Sequence, residues 1–485
     1  MTRPTQKKTN SRKIRASGPF KKRGSSDRPF SGGKRFEEKS RPRQFNKDRT
    51  PTDQQRGGRW EHLQNLWNGW VRSDSELLPQ VDRYLAAELK KNKKFGSQDR
   101  RWYSEWVFAA IRYWTVCLPA YELEQDNLSL RKQLKKVPAQ KVFAATRQCM
   151  AHFTPDNPAL TRVPGEMSFD SGKLTEVLST FKNQDVNSLF DLVLGFENSF
   201  KEEFQKRREL SSWNAKLAEE FLLQQLSKSP FWVRLNHPDK KEEVLKELTE
   251  AGYTVVESGE ALHVAGSKAI YGLNSWNQGH IEIQDAASQQ LSDVLETKPG
   301  QIVWDACAGG GGKTMSIAAR LQNKGAVYAS DIREYKLLET KRRAKKAAFH
   351  NVRTFPWDGS KPPKLSLEVH RRGGFDSVFV DAPCSSLGTM RRNPDARVRL
   401  SRKEIVELTK IQQQLLTQAS RVVKVGGALV YATCSWLPSE NEDVVNAFLE
   451  SAEGKAFTLE KQQIFGCPDM DSDTMFAARL VRSQP

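Results

Sequence analysis

No stretch of the 485-residue chain approaches the roughly 20 consecutive apolar residues that a membrane helix needs. Its start, MTRPTQKKTN, lacks the apolar segment of a signal peptide. A cytoplasmic protein with no membrane partner is therefore expected. Cysteine is scarce and scattered: Cys117, Cys149, Cys307, Cys384, Cys434 and Cys467 form no CxxC pair, which argues against a disulfide framework or a zinc knuckle. The seven histidines show no ligand spacing, so no metal site is expected. Acidic residues are rare in one region. Residues 1–59 hold 19 Lys and Arg against 5 Asp and Glu, which places +14 of the net +19 there and makes the basicity mostly a tail.

What is present divides the chain, which is long enough for two to four domains. Residues 1–58 are rich in Arg, Lys, Gly, Ser and Pro with single Phe residues, and cannot bury enough apolar surface to fold. Such a basic arm suits RNA, since its cations neutralise phosphates and its rings stack on unpaired bases; the plainer reading is a solubilising extension. Residues 59–205 read as an all-helical domain. In SQDRRWYSEWVFAAIRYW, Ser97 fits an N-cap, and Trp102, Trp106, Ala109 or Ala110, and Tyr113 recur on one helical face as core. Residues 153–172, with their Pro and Gly, read as a long loop. Residues 206–285 read as a small α+β module carrying Arg234, His237 and His263, whose sheet suits single-stranded RNA or serves as a spacer.

Residues 286–485 have a different texture. Short apolar runs end in polar or reactive residues: IVWDACAGGGGKT (302–314), AVYASD (326–331), FDSVFVDAPCSS (375–386) and ALVYATCS (428–435). They read as strands of a parallel sheet alternating with helices, a Rossmann-like α/β domain whose ligands sit outside the carboxyl ends of the strands. Asp305, Cys307, Asp331, Asp381, Cys384, Cys434 and Asp358 would all fall in that crevice. Capping boxes are expected at Ser401 with Glu404 and at Ser439 with Glu442. FTLE and MFAARLV read as closing strands at the sheet edge.

CAGGGGKT invites a phosphate-loop reading, because Gly312, Lys313 and Thr314 match the end of that pattern, but Cys307 stands where its first glycine belongs. A nucleoside cofactor fits better, with backbone approaching it at the glycines and Asp331 accepting ribose hydroxyls. Two cysteines at the ends of adjacent strands, with Asp381 three residues before Cys384, point to chemistry, although one buried cysteine alone is commonly inert.

CAGGGGKT, DAPCSSLGTMRRNPD, TCSWLPSENE and GHIEIQDAAS resemble the motif series of the RNA cytosine-5 methyltransferases, the family of bacterial small-subunit (16S) ribosomal RNA methylases and their nucleolar relatives. The likeness covers about residues 211–481. NKKFGSQDRRWYSEWVFAAIRYW is similar to the antitermination-factor-like helical domain of some bacterial members. The resemblance implies S-adenosylmethionine as cofactor, with Cys307, Ala308, Gly309, Gly310, Gly311, Gly312 and Lys313 around its methionine part, Asp331 at the ribose, Asp358 at the adenine, and Asp381 also in the site. It assigns nucleophilic attack to Cys434, ring polarisation to Asp381 and product release to Cys384. The sequence departs from the family pattern at Gly310 (usually Pro), Ser386 (Gly), Ser439 (Glu) and around Thr474 and Met475 (Gly-Phe).

Carbon 5 of cytosine is a poor nucleophile, so a thiolate must first add to carbon 6 while a carboxyl group at ring nitrogen 3 stabilises the adduct. An ordinary thiol has a pKa of about 8.5. Lys313, Arg391 and Arg392 are the candidates for activating it, or for holding phosphates. Ribosomal RNA is the first expected substrate and transfer RNA the second, methylated by a monomer with no obligate protein partner. The rivals are a catalytically inactive RNA-binding or assembly protein and a nucleotide hydrolase.

Overall fold

The computed structural model describes residues 53–484 apart from 74–77, 122, 124–129, 163–171, 197 and 267–268. The basic arm lies outside them except for residues 53–58, where a helix (Asp53–Val71) has already begun instead of the expected tail. Its later turns are anchored by Trp60, Leu63, Trp67 and Trp70, all buried. Trp60 meets the ring of Trp106 edge-on at 5.3 Å, so the aromatic stripe of the Ser97–Arg112 helix is core. Ser97 is the first residue of that helix and not its cap. Gly96 takes the cap position, and its N–H donates to the Asp99 carboxylate at 3.2 Å, because a side chain three residues into the helix reaches back to it. The loop expected at 153–172 contains a 3-10 turn, Pro158–Arg162, beyond which residues 163–171 are not described. No helix among the described residues is long and apolar enough to cross a membrane.

Packing changes near residue 230 rather than at 205/206. The Ala215–Gln224 helix, capped by Asn214, buries Ala218, Phe221 and Leu222 in the same core as the preceding helices. The sheet that follows has its own small core around Val233, Val244, Leu248, Leu262 and Ile281. Its strands are β1 (Trp232–Leu235), β2 (Thr254–Ser258), β3 (Ala261–Ala265) and β4 (Ile281–Ile283), antiparallel in the order β2-β3-β1-β4.

The second sheet has seven strands: β5 (Ile302–Asp305), β6 (Ala326–Asp331), β7 (Val352–Pro356), β8 (Phe375–Asp381), β9 (Val423–Thr433), β10 (Phe457–Gly466) and β11 (Thr474–Arg482). Their order is β10-β11-β9-β8-β5-β6-β7, with β7 to β9 parallel and the last two strands antiparallel. β5 and most of β8 are buried on both faces, which explains their unbroken apolar runs. The chain leaves β5 toward β6 and β7, then returns on the other side of β5 with β8 and β9. Loops after β5 and β8 therefore diverge and open a crevice at the carboxyl ends of the strands.

The helical core does not stop at the helical segment. Leu387, Met390, Ala396, Val398, Trp436, Leu437 and Cys467, from loops of the second sheet, are buried in it.

Candidate active site

Four strand ends supply the crevice. After β5 the chain turns through Gly309 (φ +54°) and Gly311 (φ +85°) into the Gly312–Leu321 helix. Positive φ explains these two glycines, and at Gly311 a Cβ would also come within 2.9 Å of the Thr340 side chain. Gly310 is not in the left-handed region; its carbonyl accepts a hydrogen bond from Arg343 Nη1 at 2.6 Å. On the other side an added Cβ at Gly309 or Gly312 would meet nothing within 4 Å, so the loop faces open space. The loop is pinned from below: Arg234 Nη1 donates to the Gly312 carbonyl at 2.8 Å, and Thr314 Oγ1 to Asp305 at 2.6 Å.

Asp331, at the end of β6, is brought to this loop. Its carboxylate accepts from the Gly309 N–H at 3.0 Å, from the Arg333 N–H and Nε at 2.9 Å each, and from Arg333 Nη2 at 3.1 Å. Burial opposes its charge, but these donors hold its carboxyl below the usual range. Asp305 lies deeper. Burial pushes it up to about 7 against the Thr314 hydrogen bond, and one of its oxygens has no partner. Cys307 is held well above the ordinary thiol range by burial and by Asp381, Asp305 and Asp331, so it is a neutral thiol and no nucleophile. Ala308 is buried, its N–H bonded to the Ser330 carbonyl at 2.8 Å. Asp358 follows β7, beside the end of β6: it is exposed, and its carboxylate closes a turn by accepting from the N–H and Oγ of Ser360 at 2.9 and 2.8 Å.

The ends of β8 and β9 bring the two cysteines together. Cys384 Sγ and Cys434 Sγ are 3.3 Å apart, as free thiols, with Ser386 Oγ 3.5 Å from Cys434. Lys313 Nζ, from the glycine loop, donates to Asp381 at 2.7 Å. Burial works against the lysine's charge, and Asp381 outweighs it and keeps the ammonium protonated. The hydrogen bond between the two thiols lowers the Cys434 thiol against burial and Asp381, with Ser386 and Lys313 acting in the same direction. Cys384 moves up, first through that same hydrogen bond and then by burial, the charge of Cys434 and the charge of Glu440.

Several expected residues have other work. Arg391 is 2% exposed and is spent on Asp471 (2.7 Å), Ser227 Oγ (2.7 Å) and the Lys228 carbonyl (3.0 Å), because its side chain points into the fold. Arg392 pairs with Asp285 at 3.1 Å and with Asp473. Of the three expected activators, Lys313 and Arg392 both interact electrostatically with Cys434, and Arg391 points away from it. Arg234 lies inside the fold and not on an open sheet face, and burial lowers it to about 9. His237 Nε2 is 2.9 Å from the Ala347 carbonyl, and His263 packs on Trp232. Ser439 forms no capping box: its N–H donates to Glu203 at 3.1 Å, the helix starts at Glu442, and Glu442 is taken by Arg207.

Sequence reasoning passed over Glu440. It is wholly buried and accepts from the Ser385 N–H (2.8 Å), Ser385 Oγ (2.5 Å) and Gln412 Nε2 (3.1 Å). Its partners, about 28 and 55 positions away, left no trace in spacing.

Residues 292–480 match the family described as 16S rRNA methyltransferase RsmB/F. The ribosomal RNA small subunit methyltransferase B of Serratia proteamaculans is 31% identical over 264 residues, 53% of this chain and 60% of that protein. Thus the matched region spans about three fifths of that relative's length. The protein of the same name from Yersinia pestis is 28% identical over 86% of this chain and 99% of its own. The crystal structure of PH0851 superposes with a TM-score of 0.61 at 22% identity, over 90% of this chain and all of that one, which establishes a shared fold.

Proposed function

Because residues 292–480 belong to the 16S rRNA methyltransferase RsmB/F family, we propose that this chain methylates carbon 5 of a cytosine in RNA, ribosomal RNA first and transfer RNA second. The cofactor is S-adenosylmethionine, which supplies an electrophilic methyl group on a sulfonium. The crevice fits it: the open face of the Gly309–Gly312 loop admits close approach of a ligand, and Asp331, Asp381 and Asp305 surround the place with carboxyl groups suited to a cation. Cys307 to Lys313 would hold the methionine part, Asp331 the ribose and Asp358 the adenine.

The observation that carries the reading is the pair of thiols 3.3 Å apart beside the Lys313–Asp381 ion pair. The Cys434 thiolate would form a bond to carbon 6, and the ring electrons would move toward nitrogen 3, which takes a proton passed from the Lys313 ammonium through Asp381. Carbon 5 of the resulting enamine would be nucleophilic toward the sulfonium methyl group that S-adenosylmethionine supplies when bound. Loss of the carbon 5 proton to water and of the nitrogen 3 proton back to Asp381 would return the electrons and expel Cys434, with the Cys384 thiol placed to protonate the leaving sulfur. The target base must be unpaired or flipped out for the thiolate to reach it. The arm adds phosphate contacts without choosing the site.

The test is bisulfite sequencing of RNA from cells with and without the gene, together with adduct trapping. Cys434→Ala should abolish both methylation and any RNA-protein band that survives denaturing electrophoresis, whereas Cys384→Ala should accumulate that band. The reverse pattern exchanges the two roles. Normal turnover in both variants refutes the mechanism.

A further inference from the structure

Two cysteines 3.3 Å apart compete for one proton, and nothing in the thiols themselves decides which keeps it. The surroundings are asymmetric. Glu440 follows Cys434 by six residues, yet its carboxylate is hydrogen-bonded to the other loop: it accepts from the N–H and Oγ of Ser385, the residue after Cys384. Gln412, from the Arg402–Ser420 helix, closes the clamp by donating to Glu440 at 3.1 Å and to the Pro383 carbonyl at 3.0 Å. Residues 383–385 are thus held on both sides of Cys384. Ser385 Oγ lies 3.1 Å from Ser435 Oγ, which ties the two loops to each other, and the Tyr431 hydroxyl donates to the Glu440 main-chain carbonyl at 2.6 Å.

Oε1 of Glu440 accepts from the Ser385 N–H and from Gln412, and Oε2 lies against Ser385 Oγ; burial pushes this carboxyl up while these hydrogen bonds hold it down. Being wholly buried, it touches neither RNA nor cofactor. The other charged groups near the thiols are distributed differently. Lys313 and Arg392 act on Cys434 from one side, each matched by carboxylates, and Asp381 opposes them there.

We propose that Glu440 is the positioning residue that makes the two thiols unequal: fixed to the Cys384 loop, its negative charge keeps the proton on Cys384 and leaves Cys434 as the nucleophile. The inference rests on the two-cysteine reading above but concerns the resting protein. Its burial among hydrogen-bond donors suits this task, since a charge in a dry site acts on its neighbour with little screening.

The experiment is alkylation by iodoacetamide between pH 6 and 9 on the full chain, without RNA or cofactor, with each cysteine followed by peptide mass spectrometry. In the wild type Cys434 should react before Cys384 and at lower pH. Glu440→Gln keeps the shape and an acceptor oxygen but removes the charge, and should narrow that preference by about tenfold, chiefly by speeding Cys384. Glu440→Asp, which keeps the charge, should restore the preference even where stability falls. An unchanged preference and pH profile in Glu440→Gln overturns the proposal. If that variant does not fold, Ser385→Ala decides: the charge remains, so Cys434 should still react first, and equal thiols there overturn the proposal as well. Because no substrate enters the assay, a chain that keeps unequal thiols yet fails to methylate RNA refutes the proposed function and leaves this inference standing.

Discussion

Arg207 joins the helical segment to the active-site end of the large sheet, and its removal gives a quantitative test of that junction. Its side chain is 1% exposed and meets Glu442, 8% exposed, in a two-pronged pair at 2.7 and 2.6 Å. Its Nε donates to the carbonyl of Trp436, two residues past Cys434, at 2.8 Å. Arg207→Met would leave Glu442 charged, buried and without its partner, a change that costs about 3–5 kcal/mol. With an m-value of about 3 kcal/mol/M, the urea midpoint should fall by about 1 M or slightly more. Glu442→Leu should cost a similar amount by stranding the guanidinium. The double variant has an apolar pair in place of an ionic one and should lose far less than the sum, because exchanging a whole buried ion pair is often close to neutral. The assay is equilibrium urea unfolding of all four proteins by tryptophan fluorescence. Single losses under about 1 kcal/mol, or strict additivity, would refute the reasoning by showing that water already reaches the pair.

Arg234→Met should raise the dissociation constant for S-adenosylmethionine about tenfold in calorimetry, since it unpairs the Gly312 carbonyl beneath the cofactor loop; unchanged binding would show that the loop holds its own shape. Asp305 has its carboxyl raised to about 7 from an unfolded value of about 3.9, so the stability it contributes is fully present below about pH 4 and lost as pH rises through 7. Asp305→Asn should therefore flatten the fall in melting temperature across that window, and an unaltered slope would assign it to other groups. Ser401→Ala removes one half of a capping box whose other half, Glu404, accepts from the Ser401 N–H at 2.7 Å, and should cost about 1 kcal/mol in the same unfolding assay; no loss would mean that Glu404 alone caps the helix.

The large sheet was legible because apolar runs such as FDSVFVD stop at a polar residue, and a strand buried on both faces has little other way to read. The partnership of Cys384 and Cys434 followed from two similar strand endings. The features that escaped share one physical origin, namely contacts between residues far apart in sequence. Arg234 reaches Gly312 and Arg391 reaches Ser227 across 78 and 164 positions, so Arg234 read as part of an RNA-facing module and Arg391 as a thiol activator or phosphate contact. Ser439 and Glu442 had the spacing of a capping box, but tertiary partners claimed both residues. Trp436 and Leu437 read as part of a catalytic motif, and their burial in the helical core has no local signature.

That shared core also sets a timetable for synthesis. The helical residues end their contribution at Leu226, and the next buried members of the same cluster begin at Leu387. At about 5–20 residues per second the ribosome needs roughly 8–30 s to cover that interval. During it the helices are already outside with the apolar surface meant for Leu387, Trp436 and Leu437 still open to water. The N-terminal part of the chain is thus synthesised first and its core closed last, by loops of the large sheet.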